Sequence, residues 1–163
     1  MTEENRDTQD GFEQLRAMLS GGVKAPIGET LGFELVEVDR GRIVFEGKPD
    51  RSVYNPLGMV HGGYAATLLD SACGMAVHSQ LGPGRSHTTL ELKVSYIRGL
   101  SDQSGIVRAT GRAISVGRRV GFSEATLHDG EGRLCATATS TLLVFDREGP
   151  GVITGNSSKR VGA

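Results

Sequence analysis

The chain has 163 residues, of which 18 are basic and 19 acidic, and its formal net charge at pH 7 is −1. This length predicts one domain with a sizeable core, and the interspersed charges disfavour a role in binding nucleic acid or a charged membrane surface. The two cysteines are too few for a disulfide scaffold or a zinc site, so both are expected to be small core residues.

The N-terminal part is predicted to be a disordered segment followed by a short amphipathic helix. Residues 1–10 are polar, and they lack the charged-then-apolar pattern of a signal peptide. No apolar run in the chain approaches the roughly 20 residues of a transmembrane helix, so the expected location is the cytoplasm, away from membranes. Apolar residues in segment 11–20 keep helical spacing until Gly21-Gly22 ends the run.

A β-hairpin is predicted next. Apolar residues follow a strand-like pattern from Leu31 to Val38, residues 39–41 form a turn, and Ile43 and Phe45 indicate a returning strand. This hairpin leads directly into the most informative part of the chain.

The stretch from Asn55 to Gln80 is predicted to be a tight loop followed by a buried helix of about 18 residues. Asn55-Pro56 and Gly58 mark a turn, and His61-Gly62-Gly63 allows a close backbone approach. The helix has a wide apolar face, and Asp70 is its only acidic residue. From composition alone, this carboxylate is equally explained as a solvent-facing or structural residue and as a functional one.

Four strands are predicted after the helix, at residues 87–97, 105–116, 120–128 and 133–145, and they are expected to form an antiparallel meander. In the first of them, alternation places Thr88, Leu90, Leu92, Val94 and Tyr96 on one face. Residues 146–163 show no periodicity and are expected to be a flexible tail. One helix cannot cover six strands, so the remaining sheet surface and the sheet edges predict self-association.

From about Leu31 to Phe145 the sequence resembles the hotdog-fold acyl-CoA thioesterases, specifically the PaaI-like (phenylacetyl-CoA thioesterase) group of the 4-hydroxybenzoyl-CoA thioesterase superfamily. The resemblance rests on Asn55, on His61-Gly62-Gly63 and on Asp70 eight residues beyond Gly62, with VGRRVGFSEA and ATATSTLLVF in the later strands. It implies an α+β hotdog fold over residues 11–145, in which an antiparallel sheet of about six strands wraps a long central helix.

The resemblance implies that the chain hydrolyses the thioester of an aromatic or medium-chain acyl-CoA to the free acid and CoA. In the family, the residue matching Gly62 offers its backbone N–H to the thioester carbonyl, and the acid matching Asp70 is the nucleophile or the general base. The position of Asn55 carries a polar helper. These roles fit the chemistry, since the unpaired N–H groups at a helix N-terminus favour the negative charge that develops on the carbonyl oxygen.

A third polar group is expected near the acid, and here the family pattern divides. Some relatives place a threonine one helical turn after the acid, where this chain has Gly74, and others place a serine on the next strand, where the match falls on Thr89. Thr89 is preferred, but a one-residue register error would exchange it with Thr88.

The remaining site candidates have two readings each. His61 is either a structural residue of the helix start or a catalytic group that lines the carbonyl site, and Gly63, Tyr64 and Thr88 are candidates for binding the substrate. Arg118 and Arg119, or Arg85 after the helix, would bind the CoA phosphates or belong to solvated turns. The other histidines, at positions 78, 87 and 128, lack metal-ligand spacing and are expected to be ordinary surface or strand residues.

No metal is expected, because the sequence shows no cluster of metal-ligand residues, and no cofactor is expected, because there is no phosphate-cradling Gly-rich loop and CoA is part of the substrate. Gly62 and Asp70 lie about 12 Å apart along one helix, so the resemblance implies a homodimer with shared active sites, further assembled as a dimer of dimers. Two alternatives remain. A hotdog hydratase or dehydratase expects a histidine paired with the acid, and a non-catalytic acyl-CoA-binding protein needs no carboxylate at all.

Overall fold

The structure is a computed structural model that describes residues 8–147. Its helices and strands follow one another along the chain as α1 (Gly11–Ser20), α2 (Pro26–Leu31), β1 (Phe33–Asp39), β2 (Arg42–Gly47), α3 (Gly62–His78), β3 (Arg85–Tyr96), β4 (Val107–Val116), β5 (Val120–His128) and β6 (Leu134–Asp146), with a 3-10 turn at Arg51–Val53. The predicted α+β class, with one long helix and an antiparallel sheet of six strands, is confirmed.

The six strands form one antiparallel sheet in the order β1-β2-β4-β5-β6-β3. The prediction that β3 to β6 form a four-strand meander is therefore wrong for β3. That strand pairs with β6 at the edge of the sheet, and β4 pairs with β2 instead. The long connection through α3 carries the chain across the inner face before β3 begins, so β3 and β4 are neighbours in sequence only.

Helix α3 lies across the inner face of the sheet, and its apolar side forms the core with residues from the strands. Its residues with little or no exposure are Tyr64, Ala65, Leu68, Leu69, Ala72, Cys73, Gly74, Ala76 and Val77. Gly111 on β4 has no side chain, and this lets the Ala72 backbone approach the sheet. The burial of this face, worth roughly 2 kcal/mol for each large apolar side chain, fixes α3 in place and leaves its flanks free for polar groups.

A β-bulge interrupts β3 at Leu90. Thr89 pairs with Leu142, whereas Glu91 pairs with Thr141, so Leu90 is an extra residue without a partner on β6. The prediction that one uninterrupted alternation runs through β3 is wrong for this reason. Because of the bulge, Thr89 shares the inner face of the sheet with Leu92 beyond it.

The structure also corrects the predicted bounds of several elements. Residues 26–31 form helix α2, where Pro26 occupies the first position and Gly32 ends the helix with φ 70°, so the strand that was predicted from Leu31 begins at Phe33. Asp10 caps α1 by accepting from the backbone N–H of Glu13, at 2.8 Å. Asp146, predicted to begin the tail, is the last residue of β6. The rest of the predicted disordered N-terminus up to residue 7, and the predicted tail from residue 148, lie outside the described residues.

Candidate active site

A tight loop held by Asn55 leads into α3. The side-chain oxygen Oδ1 of Asn55 accepts from the backbone N–H groups of Leu57 and Met59, at 2.9 and 3.2 Å. The backbone N–H of Asn55 also donates to the Met59 carbonyl, at 2.7 Å. Gly58 takes a φ of 81° within this loop, which favours glycine. Asn55 therefore shapes the loop with its oxygen, and its amide NH₂ group remains available to a ligand.

His61 is the N-cap of α3. Its Nδ1 accepts from the Gly63 N–H at 2.8 Å, so that in neutral His61 the ring proton lies on Nε2. The contact fixes the direction of the first turn and satisfies one of the unpaired N–H groups at the helix start. In this structure the Gly63 N–H donates to His61, and His61 orients the helix terminus. This contact corresponds to the structural role of His61 rather than to the catalytic one.

Gly62 is the first residue of α3, so its N–H has no acceptor inside the helix. Its carbonyl oxygen accepts from the Tyr96 hydroxyl at 2.8 Å. A Cβ at Gly62 would lie 3.1 Å from the Tyr96 ring, so the absent side chain makes room for the aromatic ring. The Tyr96 contact holds the peptide that follows Gly62 and leaves the Gly62 N–H free to donate to a bound group.

A cleft of about 270 Å³ opens at this helix start. Asn55, His61, Gly62, Tyr96 and Arg98 form its polar part. Most of the remaining wall is apolar and includes Met59, Val60, Ile97, Leu100 and Leu127. Asp70 is not one of the lining residues. A single chain thus provides a donor N–H above a largely apolar cavity, without the acid.

Asp70 forms a second polar centre further along α3. It is partly buried, and its Oδ1 accepts from the Thr89 hydroxyl at 3.0 Å. Both threonines are exposed, but the bulge at Leu90 turns Thr89 toward the helix, whereas Thr88 pairs with Leu143 on the outer face of the sheet. Of the two candidate threonines, the structure brings Thr89 to Asp70.

Sequence reasoning missed a pair of histidines beside this centre. The rings of His78 and His87 lie 5.4 Å apart, and burial lowers the pKa of both, that of His78 to about 4. His87 is a strand residue, as expected, but neither ring is an ordinary surface group, because β3 runs at the sheet edge beside the C-terminal half of α3 and turns His87 inward. A signal was present in the sequence, since His87 is two residues from Thr89.

Four further candidates lie away from the cleft. Tyr64 is buried in the core, and burial, with a smaller contribution from the charge of Asp50, raises its pKa to about 12. Arg118 and Arg119 are exposed at the turn between β4 and β5, near the C-terminal end of α3, where the side chain of Val77 packs against Gly121. The guanidinium group of Arg85 donates to the carbonyl oxygen of Arg118 and forms an ion pair with Asp146.

The remaining reactive side chains of the described residues show no alternative centre. Burial raises the pKa of the Cys73 thiol to about 11 and also raises the pKa of Cys135, so both thiols stay protonated at neutral pH. Within residues 8–147, no group of three His, Cys, Asp or Glu side chains is placed to hold a metal ion. In the same range, no helix combines the length and hydropathy needed to span a membrane.

Comparison with known proteins gives a consistent match. The profile of the thioesterase superfamily matches residues 57–136, which include Gly62, Asp70 and Thr89. The chain is 28% identical over 116 residues to a 1,4-dihydroxy-2-naphthoyl-CoA hydrolase of Listeria monocytogenes, covering 71% of this chain and 93% of that one. It is 30% identical over 107 residues to the proofreading thioesterase EntH of Klebsiella pneumoniae, covering 66% and 77%.

A solved structure agrees with these matches. The chain superimposes with a TM-score of 0.70 on a phenylacetic acid degradation-related protein from Ralstonia eutropha. The two are 32% identical, and the match covers 79% of this chain and 98% of that one. The similarity therefore extends over nearly the whole of the compared protein.

Proposed function

Because this chain belongs to the hotdog thioesterase superfamily and is a thioester hydrolase, we propose that it releases CoA and a free acid from an aromatic or medium-chain acyl-CoA. Two relatives support this substrate class, since one is named for an aromatic acyl-CoA and the other for phenylacetic acid degradation. The apolar wall of the cleft beside Gly62 is suited to such an acyl group. Assignment to the PaaI-like group is part of the same proposal.

The observation that carries the proposal is the hydrogen bond between Thr89 and Asp70 on the flank of α3. The Thr89 hydroxyl donates to one carboxylate oxygen and thereby orients the other. A carboxylate that acts as a nucleophile or as a general base needs such a fixed orientation. In the general-base route, Asp70 takes a proton from water, the water oxygen bonds to the carbonyl carbon, and the C–S bond then breaks. The departing CoA thiolate receives the proton from Asp70.

In the nucleophilic route, a carboxylate oxygen of Asp70 bonds to the carbonyl carbon and CoA leaves as the thiolate. Water then hydrolyses the resulting anhydride and regenerates the carboxylate. Both routes consume one water and place negative charge on the carbonyl oxygen, where the Gly62 N–H donates to it. One such donor contributes roughly 3 kcal/mol to lowering the barrier. Asn55 orients the bound group through its amide, and His61 holds the loop geometry.

The site is shared between two protomers in this proposal. Eight residues at 1.5 Å each separate Gly62 and Asp70 by about 12 Å, and one carbonyl group cannot lie near 3 Å from both. An antiparallel pair of α3 helices across a two-fold axis places Asn55 and Gly62 of one protomer opposite Asp70 and Thr89 of its partner. Support comes from β3, a 12-residue edge strand whose free side is available to pair with a second copy.

A homotetramer built from two such dimers is proposed from the outer face of the sheet. Phe122, Leu143 and Phe145 lie on this face and are 47%, 38% and 40% exposed. Lys93, Arg112 and Glu124 line an adjoining hollow on the strands, and they carry both signs of charge. A surface with an apolar part and mixed charges is self-complementary under a two-fold axis, so a second dimer fits it.

The CoA phosphates are proposed to meet Arg118 and Arg119. These side chains are exposed near the C-terminal end of α3, which in an antiparallel pair of helices approaches the Gly62 end of the partner. The reaction as proposed needs water alone, without metal or cofactor, and we place it in the cytoplasm, where acyl-CoA is made and used.

The test is a thiol-release assay over a panel of aromatic and aliphatic acyl-CoAs, with wild type and Asp70→Asn. We expect the variant to keep its fold and oligomeric state and to lose at least about 10² in kcat, because the amide is neither a base nor a nucleophile. Turnover by the variant at the wild-type rate would refute the role of Asp70. Hydration of an enoyl-CoA without thiol release would favour the hydratase reading instead.

A further inference from the structure

The helix has a gap one turn beyond Asp70, and an imidazole from the neighbouring strand fills it. Gly74 has no side chain, and His87 reaches in from β3 so that its Nε2 lies 3.0 Å from where a Cβ of residue 74 would be. Side chains four residues apart on a helix have Cβ atoms about 5–6 Å apart. The ring of His87 therefore takes the place of a side chain that would neighbour Asp70 on the helix surface.

The surroundings of His87 decide which ring nitrogen carries the proton. Its Nδ1 is fully buried and has no hydrogen-bond partner among residues 8–147. A buried N–H without an acceptor is rare in proteins, which favours neutral His87 with its proton on Nε2. Burial lowers the pKa of His87 while the charge of Asp70 opposes this shift, and the imidazole is neutral at pH 7. The other titratable group against the ring is His78, which in turn is influenced by Asp10 and Arg147.

The spacing expected between the two groups suits one bridging water. No direct hydrogen bond joins His87 to Asp70, whose Oδ1 accepts from Thr89, but His87 packs at Gly74, which lies one helical turn beyond Asp70 on the same flank of α3. Two hydrogen bonds through one water oxygen span about 5 Å, which matches the spacing of neighbouring positions on a helix.

From this geometry we propose that His87 is a positioning residue, whose Nε2–H holds the water that attacks the carbonyl or the anhydride at Asp70. This inference rests on the proposed function. The imidazole accepts and releases no proton in the step. It fixes the water oxygen so that a lone pair faces the substrate, while Asp70 takes the proton or, in the nucleophilic route, has already formed the anhydride.

The first test compares His87→Phe with His87→Gln. Phenylalanine keeps the ring volume and removes the donor, so kcat should fall about tenfold or more while KM changes less than about threefold. Glutamine offers an N–H near the position of Nε2 and should restore kcat to within about threefold of wild type. His78→Phe is the matched control, since the same exchange in the adjacent ring leaves the donor at His87 in place and should keep kcat.

A second variant tests the same geometry from the helix side and does not depend on the folding of His87→Phe. Gly74→Ala places a methyl group 3.0 Å from Nε2, so the ring must move by a few tenths of an ångström. Alanine also has a higher helix propensity, by roughly 1 kcal/mol. We expect an unfolding temperature at or above that of wild type together with a severalfold lower kcat, a combination that general destabilisation does not produce.

The outcomes separate this inference from the proposed function. Loss of kcat in Asp70→Asn with wild-type kcat in His87→Phe and Gly74→Ala overturns the role of His87 alone. Equal losses of kcat in His87→Phe, His87→Gln and His78→Phe mean that the histidines only pack the helix against β3, and the inference is then wrong. Wild-type turnover in Asp70→Asn removes the proposed site itself.

Discussion

Mixed dimers of two inactive variants should regain activity if the site is shared between protomers. The first variant, Gly62→Pro, removes the N–H that is proposed to hold the carbonyl oxygen. Proline is favoured at the first position of a helix, and His61 before it has φ −62° and ψ 135°, which a residue preceding proline readily adopts. Gly62→Ala is its matched control, because it meets the same Tyr96 ring but keeps the N–H.

The expected magnitudes follow from the geometry. Losing one oxyanion donor costs about 10²–10³ in kcat, and Asp70→Asn costs at least about 10², so each parent retains roughly 1% or less. When equal amounts of the two chains pair at random, about half of the dimers are mixed. Each mixed dimer combines Gly62 of one chain with Asp70 of the other in one intact site, and its second site is doubly damaged. About a quarter of wild-type activity should return.

The assay is thiol release after co-refolding, with native mass spectrometry to count mixed dimers. Gly62→Pro co-refolded with the Gly62→Pro, Asp70→Asn double variant is the control, because no pairing of those chains rebuilds an intact site. Activity equal to the mean of the parents, in a sample that contains the mixed dimers, would refute a shared site and place the whole reaction within one chain.

Thr89→Val should lower kcat roughly tenfold in the thiol-release assay and Thr89→Ser less than about threefold, since only the serine keeps the hydroxyl that orients Asp70. Burial lowers the pKa of His78 from 6.5 to about 4, so between these pH values the unfolded chain binds a proton at His78 that the folded chain does not bind. The free energy of unfolding should therefore decrease by up to about 3 kcal/mol as the pH falls from 6.5 to 4 in denaturant titrations. The decrease should be smaller in His78→Phe. Chelator treatment should leave thiol release unchanged, and restoration of lost activity by a divalent ion would contradict this. Phe122→Arg should convert tetramers to dimers in sedimentation velocity with kcat per site retained, whereas an unchanged tetramer would move the interface elsewhere.

Local signals in the sequence were sufficient for α3 and for the loop before it. Three signals each act over a short stretch of sequence: the turn residues around Asn55, the glycines at 62 and 63, and the apolar periodicity of the helix. They can therefore be recognised without knowing which other segments pack against this one. The observed helix has 17 residues, against about 18 predicted. The short helix α2 was missed although Pro26 and Gly32 are typical start and stop residues, because six residues give no readable period.

Pairings across the sheet were not accessible in the same way. The position of β3 beside β6 depends on where the chain returns after α3, and the bulge at Leu90 exists only in relation to the register of β6. Strict alternation would put Thr89 and Leu92 on opposite faces, so the hydrogen bond from Thr89 to Asp70 could be inferred only from the family resemblance. The packing of His87 against Gly74 also depends on the position and register of β3, so it could not be predicted from the sequence.

The extra residue makes β3 one residue longer than its register with β6 requires. Leu90 is 60% exposed and has no partner on β6, so many residue types are compatible with that position. Deleting it would set Glu91 directly after Thr89, and the pairs Thr89–Leu142, Glu91–Thr141 and Leu92–Ser140 would follow one another without a break. Both halves of the strand would keep their faces, and only the local bend and twist that a bulge adds next to Thr89 would be lost. A deletion at position 90 thus isolates the contribution of backbone shape from that of side-chain identity, which substitutions at this leucine cannot do.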